Sequence, residues 1–155
     1  MADPMKIAVV GGGPSGLYFA ILMKRADAAN EVVVFEQNKP DDTFGFGVVF
    51  SDATIAEVES ADEATYRAIT DHFVHWDDID VHYGGEVVRS TGHGFSGMSR
   101  QTLLTVLQGV AAEMGVDVRY ETRVDDLEQF GAYDLVVGSD GVNSRVRELL
   151  GHRVQ

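Results

Sequence analysis

Residues 11–16 read Gly-Gly-Gly-Pro-Ser-Gly, and an apolar run stands on each side of them. Ahead is Lys6 to Val10, KIAVV, a short run with β-branched residues. That is the pattern of a strand buried on both faces. Behind, Leu17, Ala20, Ile21 and Lys24 fall at helical spacing and predict a helix through Ala28 that ends at Asn30. Glu31 to Phe35, EVVVF, predicts a second buried strand. A strand, a glycine turn, a helix and a strand in that order open a doubly wound α/β fold. Its central sheet is parallel and Rossmann-like.

The glycine spacing is Gly11-x-Gly13-x-x-Gly16. Each glycine has its own physical reason. Gly11 allows the tight turn, Gly13 lets a pyrophosphate approach the backbone, and Gly16 lets helix and strand pack closely. Pro14 and Ser15 complete the turn, where the helix N-terminus offers free N–H groups and partial positive charge to phosphates. Glu36 ends the second strand about 20 residues beyond Gly16, with Gln37 beside it. A carboxylate there accepts hydrogen bonds from ribose hydroxyls and repels a 2′-phosphate. The candidate ligand is a dinucleotide, and the motif leaves NAD and FAD both open.

Further along, Gln37 to Phe50 reads as a loop, with Pro40, Asp41 and Asp42 before Phe44-Gly45-Phe46-Gly47-Val48. Glycines between aromatic and apolar residues let backbone lie close to a flat ligand. Ser51 is placed to cap a helix through Ser60, and Ala61 to Ile69 continues helical. Ile79 to Tyr83, Gly84-Gly85 and Glu86 to Arg89 predict a β-hairpin. Gly92 to Gly97 reads as a glycine-rich loop. Ser99 to Met114 predicts a helix capped by Ser99 and stopped by Gly115, with Leu103, Leu104, Leu107, Val110 and Ala111 on one face. Val116 to Tyr120 and Tyr133 to Val137 predict the third and fourth sheet strands, and Asn143 to Leu150 a short helix.

Charge and composition narrow the function. A net charge of −13 argues against nucleic acid and against an anionic membrane surface. No apolar run approaches the ~20 residues of a membrane span. There is no cysteine, hence no disulfide frame and no thiolate metal site. His72, His75, His82 and His93 form no metal-ligand pattern with carboxylates and read as surface or packing residues. The expectation is a cytoplasmic protein without a metal.

The stretch Asp134 to Arg147, centred on Asp140-Gly141 with Ser144 and Arg147 following, resembles the "DG" motif of the flavoprotein aromatic hydroxylases. That group is typified by para-hydroxybenzoate hydroxylase. Read without the family, the same stretch is a strand ending in a glycine turn, with an acid able to cap the next helix. Ser99-Arg100-x-x-Leu103 is similar to the family's helix start, where an arginine contacts FAD. The Asp42–Phe50 loop, Trp76 to Tyr83 and Gly92 to Arg100 resemble, more narrowly, hydroxylases acting on CoA thioesters of aromatic acids. The match runs over most of residues 5–150.

The resemblance implies FAD as cofactor, NAD(P)H and O2 as co-substrates, and hydroxylation of an aromatic small molecule through a flavin C4a-hydroperoxide. It implies cofactor contacts from Gly11, Gly13, Pro14, Ser15, Gly16, Glu36, Gln37, Phe46, Gly47, Val48, Arg100, Asp140 and Gly141. Val124 would meet the adenine through its backbone. Residues 1–155 would be the front of a larger monooxygenase fold, with 71–98 an insertion on the substrate side. Complete family members carry a later Gly-Asp motif and a strand meander, for which the segment from Tyr120 to Tyr133 is short. Val154-Gln155 is not a natural-looking end for such a sheet. The expectation is therefore that these residues alone bind FAD weakly or not at all, and that they form oligomers or pair with a C-terminal portion. An NAD-dependent Rossmann oxidoreductase and a non-catalytic dinucleotide-binding module are the alternatives.

Overall fold

The computed structural model describes residues 3–43 and 45–151. Phe44 of the aromatic loop and the terminal Val154 and Gln155 lie outside the described residues. In chain order the elements are β1 (Lys6–Val10), α1 (Pro14–Ala26), β2 (Glu31–Phe35), β3 (Gly47–Ser51), α2 (Asp52–Ala61), α3 (Glu63–Thr70), β4 (Val74–Trp76), β5 (Ile79–Tyr83), β6 (Glu86–Ser90), β7 (Phe95–Ser99), α4 (Arg100–Glu113), β8 (Asp117–Arg119), β9 (Leu135–Gly138) and α5 (Arg145–Leu150). They divide into two units, one made of residues 3–42 and 104–151, the other Thr43–Leu103. Helix α4 is shared by both.

The first unit is built on a parallel sheet of order β8-β2-β1-β9. Ile7 pairs with Val32 on one side and Leu135 on the other, and Val10 with Phe35 and Gly138. Side chains alternate across the sheet. Ala8, Val10, Val33 and Phe35 join Val124, Phe130 and Val146 in one apolar cluster. Phe35, Phe130 and Tyr133 meet edge to face there, with centroids 5.0 to 6.3 Å apart. Ile7, Val9, Val32 and Val34 point to the opposite face. They are fully or nearly fully buried, as are Leu17, Ala20 and Ile21 of α1 and Leu104, Leu107 and Ala111 of α4. Burial of each Val, Leu or Ile side chain among them is worth about 1.5–3 kcal/mol.

Helix α1 starts at Pro14, three residues earlier than the apolar spacing predicts, because proline suits the first helical position. It also stops earlier, at Ala26, with Asp27 extended. Asn30, the predicted terminator, works instead as a strut. Its amide donates to the Met23 carbonyl (2.8 Å) and its Oδ1 accepts from the Met5 N–H (2.8 Å), tying the helix end to the approach of β1.

The second unit holds an antiparallel sheet of order β3-β7-β4 and the separate hairpin β5–β6. Ser51 caps α2 by accepting from the Thr54 N–H (3.3 Å). The buried Asp62 caps α3, accepting from the N–H groups of Ala64 and Thr65 and from the Thr65 hydroxyl. Phe50, Ile55, Val58, Tyr66, Ile69, Thr70 and Phe73 line an apolar hollow of about 20 Å³, room for a water and no more. The hairpin turns at Gly84 and Gly85, both with positive φ, as predicted.

Two loop expectations are corrected. Gly47 to Ser51 is a strand, as is Phe95 to Ser99, and the two pair with each other. Strand β4 was not foreseen at all. The pairing is long-range: Val48 opposes Met98, and Val49 opposes Gly97. Gly97 reads locally as a loop residue, yet a Cβ there would sit 2.9 Å from the Trp76 ring. The glycine serves close approach inside a strand. The other predicted strands and helices stand with shifts of up to three residues at their ends.

Candidate functional site

The site in the first unit lies at the carboxyl ends of β1, β2 and β9, where open α/β sheets bind ligands. Gly11 leaves β1 with φ of 109°, and its N–H donates to the Phe35 carbonyl (2.8 Å). A Cβ on Gly16 would lie 2.0 Å from the Gly11 carbonyl oxygen, so helix and turn touch through a missing side chain. Gly13 differs. Its φ is −72° and nothing lies within 4 Å of where its Cβ would be. Packing demands two of the three glycines, and the third borders open space.

Helix α1 has no side-chain cap. Pro14 has no N–H to donate, while Ser15 and Gly16 sit in the first turn, where no carbonyl of the helix reaches them. Ser15 is exposed. Ser139 closes the turn from the β9 side, its Oγ 3.0 Å from the carbonyls of both Val10 and Gly11.

Glu36 stands just past β2, half-buried. Its Oε2 accepts from the Gly12 N–H (2.7 Å), and its Oε1 accepts from both the backbone N–H and the side-chain amide of Asn38 (2.8 Å each). The carboxylate is thus held against the glycine turn. Gln37 is exposed. Val124 has its side chain in the apolar cluster, 5% exposed, which leaves only its backbone to present.

Asp140 follows β9. Its carboxylate accepts from Ser144 Oγ (2.6 Å) and from the N–H groups of Arg145 (2.6 Å) and Val146 (3.0 Å). Burial works to raise its pKa, but these bonds and one from its own N–H outweigh it and hold the carboxyl below the ordinary aspartate value. The acid therefore shapes the turn into α5. Gly141 has φ of 84°, and Arg147 donates to the Val142 carbonyl (2.7 Å).

In the second unit, Arg100 is the first residue of α4, capped by Ser99 through the Thr102 N–H (3.0 Å). Its own N–H donates to the Phe46 carbonyl (3.3 Å). Its Nε is buried with no hydrogen-bond partner among the described residues. The Phe46 side chain is 100% exposed, and Gly47 and Val48 begin β3. His75 bridges Ser96 (3.0 Å) and Asp77 (3.3 Å), and His93 stacks on Phe95. Among the described residues no group of three or more His, Asp or Glu is placed to hold a metal. No helix of the described residues is long and apolar enough to cross a membrane.

Gly11, Gly13, Pro14, Ser15, Gly16, Glu36, Asp140 and Gly141 thus surround one end of one sheet. Arg100, Phe46, Gly47 and Val48 form a second group, in the unit Thr43–Leu103. The sequence reading passed over Gly12, Asn38 and Ser139. A signal existed for Asn38, since a short amide two residues after a strand-ending acid favours local side-chain-to-backbone bonding. None existed for Ser139, whose partners are far away in sequence.

Residues 9–45 match a family model described as an NAD(P)-binding Rossmann-like domain. The chain is 50% identical over 145 residues to salicyloyl-CoA 5-hydroxylase of a Streptomyces species, covering 94% of this chain and 28% of that protein. It is 36% identical over 143 residues to a Streptosporangium sibiricum 5-monooxygenase named for a 3-hydroxy-4-methyl-anthranilyl group on an aryl-carrier protein, covering 92% of this chain and 40% of that one. The fold matches 2-methyl-3-hydroxypyridine-5-carboxylic acid oxygenase with a TM-score of 0.82 at 22% identity, over 97% of this chain and 43% of the other. It matches Pseudomonas aeruginosa PqsL with a TM-score of 0.76 at 22% identity, over 99% and 47%. Sequence and fold alike are similar to the N-terminal part of hydroxylases and monooxygenases, and the chain spans less than half the length of each.

Proposed function

We propose that this chain is the FAD-binding front portion of a flavin-dependent monooxygenase that hydroxylates an aromatic ring with NAD(P)H and O2. The observation that carries the reading is the asymmetry of the glycine turn: Gly11 and Gly16 are locked by contacts, while Gly13 opens onto space at an uncapped helix N-terminus. A pyrophosphate fits there, because the Ser15 and Gly16 N–H groups and the helix dipole supply the donors. Glu36 takes the ribose end, and the backbone at Val124 the adenine. The orphaned Nε of Arg100 is a donor in want of an acceptor, and a flavin cofactor offers several. Asp140 keeps the turn at Ser139–Gly141 in shape. Bound flavin supplies the redox and oxygen chemistry. The protein residues bind it, orient it and hold the turn rigid.

For substrate class, one relative is named for an acyl-CoA and another for an acyl group on an aryl-carrier protein. Both names put an aromatic acid on a large carrier, so we propose a carrier-bound aromatic acid, with CoA thioesters as the first choice. A cytoplasmic homo-oligomer belongs to the same proposal. One solved relative is named as a tetramer, and a cysteine-free chain suits a reducing compartment. Residues 71–98 fall to the substrate side. A second reading, an NAD-dependent oxidoreductase, draws on the NAD(P)-binding description of residues 9–45.

The test is titration of the protein with FAD, ADP and NADH, comparing wild type with Gly13→Ala. The expected result is saturable binding of FAD, displaced by ADP, even if weak. Gly13→Ala should lower that affinity by at least about tenfold, the cost of ~1.4 kcal/mol of lost approach, with an unchanged melting temperature. Binding of NADH but not FAD favours the second reading. Binding of none of the three ends both.

A further inference from the structure

We propose that Asn38 is a positioning residue that selects which oxygen of Glu36 meets the ribose of the bound dinucleotide. The inference rests on the dinucleotide reading of the site. A carboxylate oxygen has two lone pairs in its plane. Oε1 of Glu36 has both engaged, one by the Asn38 N–H and one by the Asn38 amide. Oε2 has one engaged, by the Gly12 N–H. A single acceptor position is left, on the oxygen that already lies against the glycine turn. Asn38 makes the carboxylate asymmetric, and one ribose hydroxyl can then donate to it in a defined geometry.

Asn38 is itself held from the far side of the site. Its carbonyl accepts from the Glu121 N–H (3.1 Å). Glu121 has φ of 52°, and among the described residues it is the one non-glycine residue with positive φ. A residue with a Cβ occupies that region only when its surroundings over-determine it. The surroundings do so here: Glu36 donates its N–H to the Arg119 carbonyl (2.9 Å), and the Thr122 N–H donates to the Glu36 carbonyl (2.8 Å). The segments 36–38 and 119–122 are stitched by three backbone bonds, which hold the main chain that carries the Asn38 amide. Tyr120 lies in the same stitch. Burial first, and then the charge of Glu36, push its phenol up, so it stays a neutral neighbour of the carboxylate. A pre-oriented acceptor loses little freedom on binding.

The measurement is calorimetric titration of the full chain with ADP, 2′-deoxy-ADP and 3′-deoxy-ADP. The proteins are wild type, Asn38→Ala and Asn38→Asp, with melting temperatures taken in parallel. Wild type should bind one deoxy analogue about tenfold more weakly than ADP, as expected for one hydrogen bond to a charged group. Asn38→Ala should weaken ADP by a similar factor yet change that deoxy analogue less than about twofold, since the lost coupling belongs to the absent hydroxyl. Asn38→Asp places a second carboxylate against the first. Its ADP affinity, taken relative to wild type at each pH so that the titration of the ligand's own phosphate cancels, should rise as pH is lowered from 8 toward 5, where the pair takes up a proton. The proposal is overturned if Asn38→Ala binds ADP like wild type, or if it weakens ADP and both deoxy analogues equally. A wild type that binds neither ADP nor FAD removes the dinucleotide reading and this inference with it.

Discussion

The central strands β1 and β2 of the first unit and the hairpin β5–β6 of the second differ in where they put their side chains. In the first, four of five residues in β1 and four of five in β2 are buried. In the second, all ten residues of β5 and β6 are exposed, including Tyr83 at 85% and Val88 at 63%. One sheet is held by what it covers. The hairpin is held by its turn and by the backbone ladder between its strands, with Asp80 and Arg89 paired across it in solvent. A turn that holds glycines within contact of their neighbours needs the first kind of support.

That contrast can be broken, and the largest expected effect is at Gly16. Gly16→Ala drives a Cβ into the Gly11 carbonyl. It should cost about 3 kcal/mol or more, read as a lower urea midpoint by circular dichroism. A variant as stable as wild type would mean that the turn is not under packing constraint. Leu17→Ala empties a fully buried site and should cost about 2–5 kcal/mol in the same assay.

Asp62→Ala asks whether the second unit has any comparable anchor. Asp62 is buried and satisfies two N–H groups and a buried hydroxyl. Its loss should cost about 1–2 kcal/mol. Trp76 is the single tryptophan and lies in that unit, so its fluorescence on heating is the natural readout.

Asp140 sharpens the comparison through pH. Its carboxyl titrates below the ordinary value because burial is outweighed by Ser144 and the backbone N–H groups. A depressed folded pKa contributes stability above the unfolded aspartate value of about 3.9, and that stability is lost as pH falls through the folded pKa. Asp140→Asn should therefore melt lower than wild type at pH 6, by about 1 kcal/mol of capping, and the gap should close toward pH 2. A gap independent of pH would show that the charge is irrelevant. The smallest effect is expected in the hairpin. Val88→Ala and Arg89→Ala should leave the melting temperature within error, because one side chain is already in water and the other makes an exposed ion pair. A clear drop would show that the hairpin face is covered in solution.

Lys6–Val10 and Glu31–Phe35 were legible to the residue, because a strand buried on both faces has a continuous apolar pattern and leaves no phase to mistake. The tight turn at Gly11 and the close packing at Gly16 followed from spacing alone, as did the hairpin at Gly84-Gly85 and the caps Ser51 and Ser99. Those signals are local: backbone dihedrals and hydrogen bonds within three or four residues decide them. Whether Gly47 to Ser51 and Phe95 to Ser99 are loops or strands was not local. Each becomes a strand only because the other lies beside it, most of the unit's length away in sequence.

The same division runs through the site. The amino-acid order by itself determined that a glycine turn would follow the first strand and that an acid would end the second. Only the tertiary structure decided what the acids do. Glu36 is braced by Gly12 and Asn38, and Asp140 has its carboxylate taken up by the start of α5. A carboxylate in a sequence carries its charge, but its hydrogen-bond partners are assigned when distant segments meet, and those partners decide which of its acceptor positions the protein itself takes up.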